Sequence, residues 1–196
     1  GCFQAIDDLA AAAKIDLSKR FNQKFYGKFT NGKSMAIGGP AGITPAMIIY
    51  NKTMAKKLGL DEPKNDWILD ELVEWGKKGT KYDAKGAVEI SGYHWGHMGW
   101  NPIAWTPQLR QFGVTPVSDD GKKAFPNSRE ALIKALQWRY DLIYKHKTMP
   151  VPDPAFNTSD MFVAEKILAM TIWPVFINRL PATLVKDKFE VGFFYV

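Results

Sequence analysis

The sequence predicts an α/β fold in which short β-strands alternate with helices. Four β-prone runs occur along the chain, at residues 34–39, 46–51, 168–173 and 189–196, with helical patterns between them. This alternation favours layers of sheet and helix over a helical bundle or a β-sandwich. Ligands of such sheets collect at the carboxyl ends of the strands. Because Trp173 ends one of the runs, we expect its indole either to face a ligand or to fill the core.

Three helices are predicted in the first half of the chain. Residues 6–14 suit a short helix. Residues 51–60 suit a second one that ends at Gly59, since glycine favours the left-handed conformation after a helix end. The third begins near Asp66, which is a candidate N-cap. Its apolar positions recur with the spacing of one helix face, at Leu69, Leu72, Val73 and Gly76.

The longest predicted helix covers residues 128–147. Asn127 followed by Glu130 matches a capping box. The buried face is predicted to consist of Leu132, Ala135, Leu136, Leu142 and Ile143. Shorter helices are predicted at residues 103–112, at 158–166 and from Pro174 onward. Asp120-Gly121 predicts a turn between short strands, and residues 90–98 suit a strand or a loop interrupted by glycines.

The composition is that of a globular domain with its own core, since 46% of the 196 residues are hydrophobic and 23% are charged. No apolar run approaches the roughly 20 residues of a membrane-spanning helix. The net charge of +6 comes from basic residues scattered in short pairs, such as Lys56-Lys57 and Lys122-Lys123. This scatter indicates a solvated surface, and we expect no nucleic-acid partner.

Cys2 is the single cysteine, so the chain has no internal disulfide and no cysteine-rich metal module. Gly1-Cys2 is also how a bacterial lipoprotein signal ends. The residues that follow run directly into predicted structure rather than into a polar tether. We therefore expect Cys2 to be incidental and this chain to carry no lipid anchor.

Four segments of the chain resemble, in order, segments of the family 1 extracellular solute-binding proteins, the sugar receptors of ABC importers. They are AMIIYNKTMAKKLGLDEPKNDWILDELVEWGKKGT (46–80), LRQFGVTPVSDDGKKAFPNSREALIKALQWRYDLIYKHKTMP (109–150), DMFVAEKILAMTIWPVFI (160–177) and FEVGFFYV (189–196). The stretch at 7–42 is similar to the family's approach to its hinge. Two positions depart from the pattern. Glu165 stands where the family usually has glycine, and the stacking aromatic of the third segment falls on Trp173.

The resemblance implies a type II periplasmic-binding-protein fold, present mostly as one lobe. Residues 1–50 would be the C-terminal part of the first lobe leading to the hinge. Residues 51–196 would be the second lobe, incomplete at its C-terminus. The implied function is non-catalytic capture of a sugar or oligosaccharide in the cleft between the lobes by hinge closure. The implied partner is the transmembrane permease of an ABC importer, and the implied location is outside the cytoplasm, in the periplasm or at the cell surface. Membrane contact would come only through that transporter or through a lipid anchor absent from this chain. We expect a monomer without a cofactor.

A sugar site needs aromatic plates for the apolar ring faces and planar polar side chains for the hydroxyls. The candidate plates are Trp95, Trp100, Trp105 and Trp173, since glycines break any regular packing stripe around the first two. The polar candidates are Gln111 and Asn51, although Asn51 also suits an N-cap of the helix that follows it. Trp67, Trp75 and Trp138 lie on predicted amphipathic helices, where a core or surface-covering role is favoured.

Two other functions remain open. A glycan-active hydrolase would need two carboxylates beside the aromatic loop, and the sequence places none there. A receptor for a polyamine or another non-sugar solute would need acidic residues among the aromatics. His94 and His97 have the spacing H-x-x-H but lack further ligands nearby, so we expect a polar or solvent-facing pair and no metal site.

Overall fold

The structure is a computed structural model, and it describes residues 4–20, 27–28, 31–36, 47–95, 108–115, 118, 122–124, 129–151, 153, 158–172 and 188–195. The chain forms two compact units, Gly1–Pro45 and Ala46–Val196. The boundary lies five residues before the one expected after residue 50, because strand Met47–Asn51 pairs with strands of the second unit. The assignment of the two units to the two lobes of a receptor stays a prediction.

The first unit contains helices α1 (Asp7–Ala12) and α2 (Leu17–Arg20) and strands β1 (Gly27–Lys28) and β2 (Ser34–Ala36). The two strands pair in antiparallel fashion. Ser34 ties the start of α1 to β2, since its amide and hydroxyl donate to the Asp7 carboxylate at 2.6 and 2.9 Å and its carbonyl accepts from the Ile6 amide.

The second unit is built on a three-stranded sheet in the order β6-β3-β7. Its strands are β3 (Met47–Asn51), β6 (Ala169–Ile172) and β7 (Val191–Phe194). Both outer strands run antiparallel to β3. Bridges from Ser91 to Ile167 and from His94 to Met170 lay an extended segment parallel to β6 on its other side. All four residues of β6 are buried, as expected of a strand that is covered on both faces.

Helices cover both faces of this sheet. They are α3 (Lys52–Lys57), α4 (Leu69–Gly79), α5 (Arg129–Tyr144) and α6 (Thr158–Val163). The same unit also contains a helical turn at 108–111 and a small hairpin of strands β4 (Lys81–Tyr82) and β5 (Val88–Ile90). Alternation along β3 sorts the core into two clusters. Ile48 and Tyr50 pack with residues of α3, α4 and α5, whereas Ile49 packs with Phe162 of α6.

The helix boundaries confirm most of the predicted elements and correct two details. Helix α4 starts three residues after Asp66. The amide of Ile68, the N-cap residue before the helix, donates to the Glu71 carboxylate at 2.8 Å, so the helix starts with this contact and not with a cap from Asp66. On α5, Leu136 is 43% exposed and does not belong to the buried face, whereas Ala135 and Leu142 do. The predicted cap at Asn127, the turn at 120–121, and the helix from Pro174 lie outside the described residues.

Helices α3 and α6 end with the same backbone pattern but with different residues. After α3, Gly59 adopts φ +67°, and the Leu60 amide reaches back to the Ala55 carbonyl. After α6, Glu165 adopts φ +57°, and the Lys166 amide reaches back to the Met161 carbonyl. Both ends are Schellman motifs, in which glycine avoids the steric penalty of the left-handed region. Glu165 therefore keeps a conformation suited to the glycine that the resembling family has at this position.

Candidate ligand-binding site

The structure places three of the six predicted ligand contacts, Trp95, Asn51 and Gln111. Trp100, Trp105 and Trp173 lie outside the described residues, so their role as aromatic plates stays a prediction. The question of whether Trp173 faces a ligand or the core also stays open.

Asn51 is fully buried and caps α3, because its side-chain oxygen accepts from the Met54 amide at 2.7 Å. It also lies at the opposite end of the sheet from the carboxyl end of β6. Tyr50 opposes Ala169 and Met47 opposes Ile172, so roughly 13 Å of strand separates Asn51 from the position beside Ile172. The expectation that carboxyl strand ends gather at one edge fails here because β3 and β6 are antiparallel. The structure supports the capping role of Asn51, and its ligand contact stays a prediction.

Trp95 is 3% exposed and packs edge-on against Trp138, with ring centroids 5.9 Å apart. Its indole N–H finds no acceptor within the described part of the chain. The same holds for the Trp138 indole and for both polar atoms of the Gln108 side chain, which is 1% exposed. Buried donors and acceptors in native proteins are almost always paired. Trp95 and Trp138 contact each other, so their two indole N–H groups lie in one buried aromatic cluster.

A second aromatic group in the same unit is enclosed in the core. The rings of Tyr50, Trp75 and Phe194 meet edge to face, with centroids 5.8–6.4 Å apart. The Trp75 indole donates to the Asp61 carbonyl at 2.9 Å. All three rings are buried and in mutual contact, so the group is a structural core.

Between these groups the second unit has a cleft of about 420 Å³, within the range of small-molecule sites. Its lining consists of Trp67, Ile68, Leu69, Asp70, Gln111, Phe112 and Trp138. Gln111 is thus the one predicted contact that the structure places at an open concave surface. Trp67 and Trp138 were expected to be packing residues. They are half-buried, so each covers core with one side and borders the cleft with the other.

Sequence reasoning missed this cleft because its walls come from three separate segments. Trp67 precedes α4, Phe112 follows the turn at 108–111, and Trp138 is in the middle of α5. The only signal in the sequence was the high tryptophan content of seven residues, which suggested that some indoles, such as those of Trp67 and Trp138, lie partly at the surface. Tryptophan is rarely buried completely.

The polar chemistry near the cleft is mild. Burial raises the pKa of the Tyr93 phenol well above its ordinary value, and the hydrogen bond with the Thr171 hydroxyl offsets only part of that effect. Tyr93 therefore stays neutral near pH 7. Within the described residues no three histidine, cysteine or acidic side chains come together in a way that could hold a metal ion. His94 is 2% exposed rather than solvent-facing, and His97 lies outside the described residues.

Comparison with known proteins gives a match to one family and to several solved structures. The model for bacterial extracellular solute-binding proteins matches residues 1–194. A search of curated protein sequences found no match. An ABC substrate-binding protein from Listeria monocytogenes, solved in complex with cycloalternan, is similar with a TM-score of 0.74 at 18% identity, over 98% of this chain and 47% of that one.

Two further solved structures show the same relation. The maltose/maltodextrin-binding domain MalE from Bdellovibrio bacteriovorus, bound to maltotriose, has a TM-score of 0.69 at 20% identity, over 97% of this chain and 45% of that one. UgpB from Mycobacterium tuberculosis, in complex with glycerophosphocholine, has a TM-score of 0.70 at 19% identity, over 97% and 45%. The present chain therefore spans slightly less than half the length of these proteins.

These likenesses confirm the expected α/β fold of the type II periplasmic-binding class. They also confirm the resemblance drawn from the four ordered sequence segments. The family model covers both units and ends two residues before the last residue of the chain. The chain belongs to the bacterial extracellular solute-binding proteins.

Proposed function

We propose that this chain is part of the substrate-binding protein of an ABC importer and that the substrate is a sugar or oligosaccharide. The observation that carries the proposal is the family match over residues 1–194. The Listeria and Bdellovibrio structures, which hold cycloalternan and maltotriose, support a saccharide. An ABC permease would then be the partner, and the protein would work outside the cytoplasm. In the described part of the chain, no helix has the length and apolar character needed to cross a bilayer.

The proposed mechanism is capture without chemical change. A ligand that contacts two lobes does so only in the closed form, so its binding shifts the balance from open to closed. Trp95, Trp100, Trp105 and Trp173 are the proposed stacking plates, and Gln111 and Asn51 are the proposed polar contacts. A chain that spans less than half of its solved relatives offers only part of such a two-sided site. We therefore expect weak or absent sugar binding by these 196 residues alone.

The test begins with the mass of the natural gene product, followed by a thermal-shift screen of sugars against polyamines on that product. A saccharide at a hundred times its Kd should stabilise the folded protein by about 2.7 kcal/mol, which raises the melting temperature by several degrees. Isothermal titration of the 196-residue chain should then give much weaker binding. A response to amines but to no sugar would contradict the saccharide proposal, and micromolar sugar affinity of the short chain would contradict the two-lobe mechanism.

A non-sugar solute is the second candidate, and one observation favours it. UgpB, at a TM-score of 0.70, holds glycerophosphocholine, so the fold accommodates ligands other than sugars. The same thermal-shift screen, extended to glycerophosphodiesters, separates the two candidates.

A further inference from the structure

We propose that the cleft between the start of α4 and the middle of α5 is a binding subsite for one neutral sugar ring. All seven lining residues lie between Trp67 and Trp138, within the second compact unit. Binding at this subsite therefore does not depend on hinge closure. The subsite shares Gln111 with the two-lobe site proposed above, so the two proposals are separated by their tryptophans.

The walls supply the apolar part of such a subsite. Trp67, Phe112 and Trp138 are all half-buried and all border the cleft. Phe112 and Trp138 are held against each other at a centroid distance of 6.1 Å. Trp67 is anchored from behind by edge contacts with Trp75 and Phe194, at 6.0 and 5.9 Å. These rings are fixed by the core, so they can cover the C–H face of a ligand ring with little loss of side-chain entropy.

The rim supplies the polar part. Gln111 and Asp70 are both exposed at the cleft. The Asp70 carboxylate offers acceptors to ligand hydroxyls, and the planar Gln111 amide borders the same cleft. Aromatic plates with planar polar side chains are the combination that sugar recognition requires.

The charge around the cleft argues for a neutral occupant. Asp70 and Glu71 occupy the first turn of α4, which disfavours an anion. The positive end of the α4 dipole lies at the same rim, between Ile68 and Asp70, and opposes an organic cation. Asp70 is the only ionisable residue among the seven that line the cleft. The lining therefore has no cluster of charged side chains that would bind a charged ligand of either sign.

Fluorine NMR of the chain labelled with 5-fluorotryptophan tests this proposal directly. The seven resonances are assigned by single Trp→Phe substitutions, and methyl β-glucopyranoside and methyl β-galactopyranoside are titrated into the protein. We expect the Trp67 and Trp138 resonances to shift with one common Kd, and the Trp75 resonance to stay in place. Asp70→Ala should weaken that Kd roughly threefold to tenfold, which is the effect of losing one or two hydroxyl hydrogen bonds.

Asp66→Ala is the matched control, because Asp66 is an exposed aspartate near the same helix start that does not line the cleft. It should leave the Kd within a factor of two. Equal losses in the two variants would overturn the proposal, as would unmoved Trp67 and Trp138 resonances in the presence of both glycosides. Tighter binding of choline than of either glycoside, lost in Asp70→Asn, would identify a cation site instead.

The same NMR experiment distinguishes failure of the cleft proposal from failure of the receptor proposal. If sugars shift only the resonances of Trp100, Trp105 or Trp173, the cleft proposal fails and the receptor proposal stands. If sugars shift only Trp67 and Trp138, in the natural gene product as well as in this chain, the reverse holds.

Discussion

Two groups of aromatic side chains in the second unit have similar composition and opposite character. The inner group, defined as Tyr50, Trp75 and Phe194, is at most 5% exposed, and its one indole N–H is paired with a carbonyl. The cleft group is defined as Trp95, Phe112 and Trp138. Trp95 is buried, whereas Phe112 and Trp138 are half-buried and border an open cleft. A ring enclosed by other rings has a structural role, whereas a half-buried ring that borders a cleft also leaves a face for another molecule.

Truncation of each central tryptophan should give the largest difference between the two groups. Trp75→Ala removes a buried indole that contacts Tyr50, Trp67 and Phe194 and should cost about 3–5 kcal/mol of unfolding free energy. Trp138→Ala removes a half-buried ring and should cost clearly less. Urea denaturation followed by circular dichroism measures both. A Trp138→Ala loss equal to that of Trp75→Ala would mean that the cleft group is core as well.

Overpacking should damage the inner group next most strongly. A Cβ added at Gly192 of β7 would overlap the Tyr50 ring, and an overfilled core typically costs about 1–3 kcal/mol. We expect Gly192→Ala to lower the urea midpoint accordingly. Gly192→Ala combined with Tyr50→Leu should be less destabilised than the sum of the two single changes, since the leucine vacates the overlapped space. Strict additivity would show that the overlap is relieved elsewhere.

The dependence of stability on alkaline pH should test Tyr93, whose ring packs against Trp138 of the cleft group. Burial raises the pKa of Tyr93 in the folded protein above the value of about 10 in the unfolded chain. Above pH 10 the unfolded state therefore releases the phenolic proton while the folded state keeps it. Stability should be fully present below pH 10 and fall by up to about 1.4 kcal/mol per pH unit above it.

Tyr93→Phe is the control for this pH dependence. It removes the hydrogen bond with Thr171 and lowers stability at neutral pH by about 1 kcal/mol. Its stability should then decline less steeply above pH 10. Parallel curves for the wild type and the variant would exclude Tyr93 as the group responsible.

Local signals in the sequence were enough to place most elements of the second unit. Asn51 before a helix, Gly59 after it and the apolar spacing of α4 all describe interactions within a few residues, and the structure shows each of them. Leu136 was wrongly assigned to the buried face of α5. This helix has more apolar residues than the neighbouring elements can bury, so some of them, including Leu136, stay exposed. The antiparallel course of β3 was not visible either, since strand direction is decided by pairing over more than a hundred residues.

The candidate site was less accessible to such reasoning. Whether an indole is satisfied depends on a distant carbonyl, as with Trp75 and Asp61. Trp75 and Trp138 are both tryptophans on amphipathic helices, so no local pattern separates them. Gln111 was predicted as a contact because it lies near an aromatic stretch. Trp67 was not, because it was assigned to a predicted amphipathic helix, where a core or surface-covering role is favoured.

The smallest expected effect concerns the single hydrogen bond from the Trp75 indole to the Asp61 carbonyl. Trp75→Phe keeps an aromatic ring but loses the N–H donor to the Asp61 carbonyl, so it forfeits a hydrogen bond and leaves the carbonyl unpaired. Trp138→Phe loses a donor that has no acceptor in the described structure, which removes a buried polar atom that was already a cost. We expect Trp75→Phe to be more destabilising than Trp138→Phe by about 1 kcal/mol in urea denaturation. If the two changes cost the same, the Trp138 indole has an acceptor in solution.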